Sequence, residues 1–316
     1  MEEQPQSEGS AKSLAKLRIS IVEFLNTAPL VWGFTDGPLR GKYDLSFTVP
    51  SQCAEALRCG DVDVAIIPSI EYQRIEGLVA LPEMAVAADQ EVRSLLVVAT
   101  KPVEMAKRIA LDTSSRATVA LVKMLAKRQW QITPEFVEAA PDPAAMLEQA
   151  DAALVIGDPA LRISLKMEAL SAKTPNAEQC CADDPEEMPV PGIDALFVYD
   201  VVHQWREMTG KSAVLAVWAG RREAITPEVV TDFLASREYG LAHLRDIAEG
   251  AAIKLDLPAC PLERYLKDNI QYDLNEARLD GLRHYYELAA QDGLIRRARP
   301  IEFAAVPSGA GAKRGG

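Results

Sequence analysis

The sequence predicts an α/β protein folded as two lobes, with a hinge and a ligand cleft between them. Three observations lead there. The chain has 316 residues, more than one hydrophobic core usually organises. Apolar runs of strand length alternate with amphipathic helices in two separate sets, the pattern of α/β sheets. Two further strand-length runs, Leu95 to Ala99 and Val214 to Trp218, lie where the chain would cross from one set to the other and back. Hydrophobic residues make up 48%, enough to fill two cores and to exclude a wholly disordered chain.

In the first set, Leu17 to Val22 reads as a buried strand running into Glu23-Phe24-Leu25-Asn26-Thr27-Ala28-Pro29-Leu30. Asn26 or Thr27 is suited to cap a helix that tolerates Pro29 in its first turn. Leu45 to Val49 is a strand, and Ser51 is expected as the N-cap of a helix that buries Ala54 and Leu57 and stops at Gly60. Val62 to Ile67 is the next strand, ending in Pro68-Ser69-Ile70-Glu71-Tyr72. Strand, helix and strand at this spacing predict a parallel sheet.

The second set opens on Ile109-Ala110-Leu111 and the turn Asp112-Thr113-Ser114-Ser115-Arg116. A helix follows with Val119, Leu121, Met124 and Leu125 on its apolar face. Ala152 to Ile156 is a further strand, ending at Gly157-Asp158-Pro159. Beyond Trp218 the chain reads as helical over Pro227 to Ala248, Leu262 to Asn269 and Asn275 to Ala290, the last with a core-facing stripe of Leu279, Leu282, Tyr286 and Ala289. The expected division is residues 17–99 with 215–306 for the first lobe and 100–214 for the second, with 1–16 and 307–316 as disordered tails. The Pro-, Asp- and Glu-rich stretch from Ser171 to Gly192 reads as a surface excursion.

Several function classes are excluded. The formal charge is −12 and no stretch interleaves Lys and Arg with aromatics, so nucleic acid is not an expected partner. No apolar run approaches the ~20 residues of a membrane span, and the polar segment Met1 to Lys16 is unlike a secretory signal. The expectation is a soluble, cytoplasmic protein without a membrane partner. Five cysteines (Cys53, Cys59, Cys180, Cys181, Cys260) form no CxxC pair, which argues against a zinc knuckle or a disulfide framework. His203, His243 and His284 lie in helical segments, and no phosphate loop, GxGxxG or Ser-His-Asp arrangement is visible. No metal and no cofactor are therefore expected.

What remains is a set of neutral donors at strand ends. The turn Asp112 to Arg116 places the hydroxyls of Thr113, Ser114 and Ser115 at a helix start, which suits a carboxylate or phosphate and equally fits an ordinary cap. Asn26, Thr27 and Ser51 add further donors. Each alone reads as a cap, and their coincidence at three strand ends points to one pocket beyond the carboxyl edges of the sheets. Glu71 and Asp158 are strand-end carboxylates, each either a general base, if desolvated, or a hydrogen-bonded turn residue. From the residues alone the conclusion is a two-lobed protein that holds a small anion.

The motifs taken together go further. Phe24 to Leu30, Pro50-Ser51, Gly60-Asp61-Val62-Asp63 and Ile67 to Tyr72 resemble the N-terminal signature of the chorismate dehydratases of menaquinone biosynthesis. Val92-Arg93-Ser94, Asp112 to Arg116, Ile156-Gly157-Asp158, Trp205 with Thr209-Gly210, Ala216-Val217-Trp218 and Tyr265 to Leu274 follow in the family's order. The resemblance covers about residues 17–294. The sister family that forms dihydroxynaphthoate carries a Pro-Asn-Asp-Thr type sequence at the first turn, where Leu25-Asn26-Thr27 sides with the dehydratases. Ala28, Ala117 and Val201-Val202-His203 depart locally from the family pattern.

This resemblance implies a periplasmic-binding-protein-like type II fold. It also implies loss of water from chorismate to give 3-[(1-carboxyvinyl)oxy]benzoate, the first step of the futalosine route, without metal, flavin or nicotinamide. Asn26 and Ser94 are the implied catalytic residues, orienting the reacting carbons and the departing hydroxyl. Ser51, Ser114 and Ser115 are implied carboxylate binders, and Thr27, Ile70, Thr113, Gly157 and Asp158 further substrate contacts. The base is either a protein carboxylate or the enolpyruvyl carboxylate of the substrate. The second is favoured, because a protein carboxylate beside a bound dianion is repelled or becomes protonated. The expected partner is thus a small dicarboxylate, with a homodimer left open. The competing readings are the dihydroxynaphthoate-forming sister enzyme and a non-catalytic small-anion binding protein.

Overall fold

The computed structural model describes residues 16–172 and 196–305. The expected tails and surface excursion lie outside these residues, apart from their bordering positions. In chain order the elements are β1 (Arg18–Val22), α1 (Ala28–Thr35), β2 (Asp44–Thr48), α2 (Pro50–Cys59), β3 (Val64–Pro68), α3 (Ser69–Arg74) and β4 (Leu78–Ala88). There follow β5 (Leu95–Ala99), β6 (Arg108–Asp112), α4 (Arg116–Arg128), β7 (Glu135–Ala139), α5 (Pro143–Gln149), β8 (Ala152–Ile156), α6 (Asp158–Ala172) and β9 (Phe197–Asp200). The chain continues through α7 (Val201–Thr209) and β10 (Ala213–Arg221) to α8 (Pro227–Ala242), α9 (Leu244–Leu255), α10 (Ala259–Arg264) and α11 (Glu276–Gln291).

Two five-stranded sheets result, ordered β2-β1-β3-β10-β4 and β7-β6-β8-β5-β9. Both are mixed, not parallel as the strand–helix spacing implied. β1 runs parallel to β2 and β3, but β10 is antiparallel to β3 and β4. In the second sheet β6 is parallel to β7 and β8, while β5 is antiparallel to β8 and β9. The antiparallel members are the two crossing strands. The expected division breaks at residue 214, within β10, whose whole length pairs with β3 and β4 of the first sheet. β5, grouped by that division with residues 17–99, pairs throughout with strands of the second sheet, so the passage between sheets is the 89–94 segment before it.

Each sheet is covered on both faces, which is why β3, β5 and β8 are continuous apolar runs with every residue buried. α2 buries Cys53, Ala54 and Leu57 and ends at Gly60, whose φ of 80° is the left-handed geometry glycine adopts freely. Its N-cap is Val49 and not Ser51: Pro50 takes the first helical position, where its missing N–H and preset φ fit, and Ser51 falls inside the turn. α4 starts after Ser115 and buries Leu121, Met124 and Leu125 as expected, with Val119 only partly covered. The helical stretch from Pro227 breaks at His243, between α8 and α9. All four stripe residues of α11 are buried.

One contact sets the position of the first helix. α1 lies so close to α8 that a Cβ at Gly240 would meet the Pro29 carbonyl oxygen at 1.9 Å, and Ser236 Oγ donates to the Leu30 carbonyl at 3.0 Å. That clamp fixes the turn between β1 and α1, which carries Asn26 and Thr27. Among the described residues no helix is long and apolar enough to cross a membrane.

Candidate active site

The residues singled out by sequence gather in two groups, each bridging the two sheets at their strand ends. In the first, Leu25–Thr27 forms a 3-10 turn directly after β1, with Leu25, Asn26 and Thr27 all buried. Thr27 is the N-cap residue of α1, with Pro29 in its first turn as expected, but its side chain makes no capping hydrogen bond, and Asn26 caps nothing. Instead Thr27 Oγ1 donates to Asn26 Oδ1 at 3.2 Å, and Asn26 lies beside the Tyr265 phenol. Tyr265 donates to Ser94 Oγ at 2.9 Å. Ser94, at the end of the 89–94 passage, accepts the Gly157 N–H on its carbonyl at 2.8 Å. Asp158 then reaches back to accept the Leu25 N–H at 3.2 Å. Asn26, Thr27, Ser94, Gly157 and Asp158 thus form one continuous cluster.

The second group is the turn before α4 with the starts of α2 and α3. The Ser51 N–H donates to the Ser114 carbonyl at 2.8 Å, tying the first turn of α2 to the opposite sheet. Asp112 accepts the Ser114 N–H at 2.9 Å, which holds the turn open ahead of the helix. Ser115 is the N-cap of α4, but its hydroxyl accepts from Thr118 Oγ1 at 3.1 Å and bonds no backbone N–H. Ser114 Oγ is buried and has no hydrogen-bond partner among the described residues. An unsatisfied buried hydroxyl is unfavourable unless something else meets it. Thr113 is half-buried, and Ile70 is fully buried at the start of α3.

Burial dominates the electrostatics. It raises the carboxyls of Asp112 and Asp158 above the usual range, against the hydrogen bonds they accept from Ser114 and Leu25. Asp200 is raised for the same reason, although it accepts the N–H groups of Val92 (3.0 Å), Arg93 (2.6 Å), Val202 (2.9 Å) and His203 (3.0 Å). Those four bonds fix the passage that delivers Ser94. Burial likewise holds the Tyr265 phenol far above its ordinary value.

Glu71 proves to be the hydrogen-bonded alternative of the two readings offered for it. Its side chain is completely buried, with Oε2 facing Arg58 at 2.5 Å and Arg116 at 3.1 Å, and Oε1 facing Arg74 at 2.8 Å. Arg116 opens α4, so this cluster also spans the two sheets. Sequence reasoning treated Tyr265 and Phe24 only as parts of motifs, whereas the ring of Phe24 packs on Gly157. No local signal marks either one: both read as apolar positions, and their roles arise from contacts between distant segments.

Two open cavities lie elsewhere. One of about 510 Å³ is lined by Tyr72, Arg222, Arg297 and Arg299, and one of about 290 Å³ by Leu241, Leu266, Ile270 and Tyr272. Neither includes a strand-end donor. Among the described residues no three His, Cys, Asp or Glu side chains are grouped to hold a metal ion.

Two mixed sheets joined by crossing strands, with polar residues meeting at the strand ends, define a two-lobed periplasmic-binding-protein-like protein. A solved protein from Archaeoglobus fulgidus has this fold at a TM-score of 0.66 and 19% identity, over 89% of this chain and 98% of that one. The ligand-binding component of an ABC-type import system from Staphylococcus aureus matches at a TM-score of 0.60 and 14% identity, over 93% and 97%. At such identities the likeness concerns the fold alone. The sequence is more specific: residues 17–291 match the family described as menaquinone biosynthesis, and the chain belongs to that family. A curated relative, the chorismate dehydratase of Thermus thermophilus, is 30% identical over 241 residues, 76% of this chain and 84% of that protein.

Proposed function

We propose that this protein is a chorismate dehydratase, a hydro-lyase that removes water from chorismate to form 3-[(1-carboxyvinyl)oxy]benzoate on the way to menaquinone. The observation that carries this reading is the buried cluster drawn from both sheets, in which the Leu25–Thr27 turn meets Asp158, Gly157 and Ser94, within a chain of this family.

The chemistry asks for what such a cluster offers. Chorismate carries two carboxylates, and the hydrogen to be lost sits on the ring carbon bearing the ether, activated through the conjugated ring carboxylate. Neutral donors at helix starts stabilise the charge that builds there without introducing an opposing ion. Ser51, Ser114 and Ser115 bind the carboxylate, and the free Ser114 hydroxyl supports that role. Thr27, Ile70, Thr113, Gly157 and Asp158 shape the surrounding walls. Asn26 and Ser94 orient the reacting carbons and the departing hydroxyl.

The enolpyruvyl carboxylate of the substrate takes the proton. The C–H pair becomes the new ring double bond, and the hydroxyl leaves with the C–O pair and is protonated to water. Aromatisation drives the step. Glu71, one of the two strand-end carboxylates considered as bases, is held by three guanidinium groups, which supports the substrate as its own base.

The test is incubation of the purified protein with chorismate alone, in the presence of a chelator. Stoichiometric appearance of the enolpyruvyl benzoate is expected. Chorismate that is bound but recovered unchanged would reduce the protein to an anion binder.

A further inference from the structure

Tyr265 reaches the cluster from outside the strand-end turns. It opens the π-helical turn Tyr265–Asn269 that follows α10, the kind of irregularity that often accompanies functional positions. It is 1% exposed, and its phenol lies 2.9 Å from Ser94 Oγ, to which it donates. In this bond the phenol is the donor and the serine oxygen the acceptor. The Asn26 side chain, held through its Oδ1 by Thr27, also lies beside the phenol. Ser94 Oγ, having accepted, still holds its own proton.

We propose that Tyr265 is a positioning residue of the dehydration: by occupying an acceptor site of Ser94 Oγ, it turns the Ser94 proton towards the departing hydroxyl of the substrate. Ser94 is thereby a donor to the leaving oxygen and not a base. A hydroxyl that already accepts a hydrogen bond is polarised to donate more strongly, so the bond from Tyr265 also sharpens that interaction. Burial favours the arrangement, because a phenol held far above its ordinary ionisation range keeps its proton at every working pH. The inference rests on the dehydratase reading of the same cleft.

The experiment is a double-mutant cycle with chorismate. Tyr265→Phe keeps the ring and removes only the hydroxyl. It is expected to lower kcat about tenfold, the effect of one oriented hydrogen bond, with KM and product affinity within about twofold of wild type. Ser94→Ala should lower kcat further. Adding Tyr265→Phe to Ser94→Ala should change nothing more, because no serine hydroxyl remains to be turned. Multiplying losses in the double variant, an unchanged kcat in Tyr265→Phe, or loss of product binding there would each overturn the proposal. Wild-type protein inert towards chorismate would instead overturn the dehydratase reading, and this proposal with it. An active wild type with an unaffected Tyr265→Phe overturns the proposal alone.

Discussion

The ring of Phe24 stands where a side chain on Gly157 would go, for a Cβ built there meets the ring carbons at 2.9 Å. Phe24 precedes the turn that carries Asn26, and Gly157 ends β8 in the opposite sheet, so the contact sets how closely the two strand ends approach. Gly157 also has a φ of 73°, costly for any residue with a Cβ. Gly157→Ala should therefore lose about 2 kcal/mol or more of stability, from strain and overlap together. Phe24→Leu in the same chain should restore only the part due to overlap. Urea unfolding of the three variants checks this, and a Gly157→Ala protein as stable as wild type would contradict it.

Ser114 offers the opposite case. Its buried hydroxyl has no partner among the described residues, so Ser114→Ala should leave the free protein as stable as wild type or slightly more so. Ligand affinity should fall about tenfold, since the alanine cannot donate to the carboxylate. Calorimetric titration with 3-hydroxybenzoate, beside a thermal melt, separates the two effects. Reduced stability with unaltered affinity would make Ser114 a structural residue.

Asn26 is 9% exposed and caps no helix, so a charge introduced there has no capping role to fill, and on the dehydratase reading it faces the bound dianion. Two unit charges ~4 Å apart interact by about 4 kcal/mol at an effective dielectric of ~20. Asn26→Asp should lower kcat/KM at least a hundredfold, roughly speaking, even allowing for partial protonation of the new acid. Asn26→Ala should lose less. The Asp variant should worsen as pH rises and its carboxyl ionises. Equal losses in both variants at every pH would point to a missing hydrogen bond and no repulsion.

Asp158 gives a pH signature. Burial raises its carboxyl above 3.8, outweighing the Leu25 N–H and the more distant Lys254 and Arg162. The native state thus takes up the proton at higher pH than the unfolded chain, and in the window above 3.8 this group adds stability as pH falls. Asp158→Asn keeps an acceptor for Leu25 and carries no charge. It should be more stable than wild type at neutral pH, and the gap should close as pH drops into the ordinary Asp range. Denaturant titrations across pH would expose a constant gap, which the burial account does not allow.

How much of this was legible in the sequence depended on how local the determinants are. β1, β3, β5, β6, β8 and β10 announce themselves as apolar runs. β4 does not, because Pro82 and Glu83 interrupt it and Glu83 takes a φ of 60°. β2 is a half-exposed edge strand carrying Asp44, Ser46 and Thr48, β7 is a poorly buried edge strand with Glu135 and Glu138 exposed, and β9 is only four residues long. The hydroxyl turn before α4 was visible as a chemical pattern, while Asn26 and Ser94 acquired roles through the family motifs. Tyr265 stayed hidden because its partner Ser94 lies 171 positions away, and a tyrosine in a helical stretch resembles any other core residue. The neighbours of Glu71 divide in the same way: Arg74, three positions on, lies within helical reach, whereas Arg58 and Arg116 arrive only through folding.

β10 sits between β3 and β4, so β4 has no neighbour in its sheet, and β3 none on that side, until Ala213–Arg221 has been made. The second sheet needs nothing from outside the span of Leu95 to Asp200. On the ribosome, then, the later-starting half is able to close first, while the N-terminal strands wait with their apolar faces uncovered for more than a hundred further residues, roughly counted. Synthesis order and assembly order run opposite to each other in this chain, and the interval between them is when it most needs protection from aggregation.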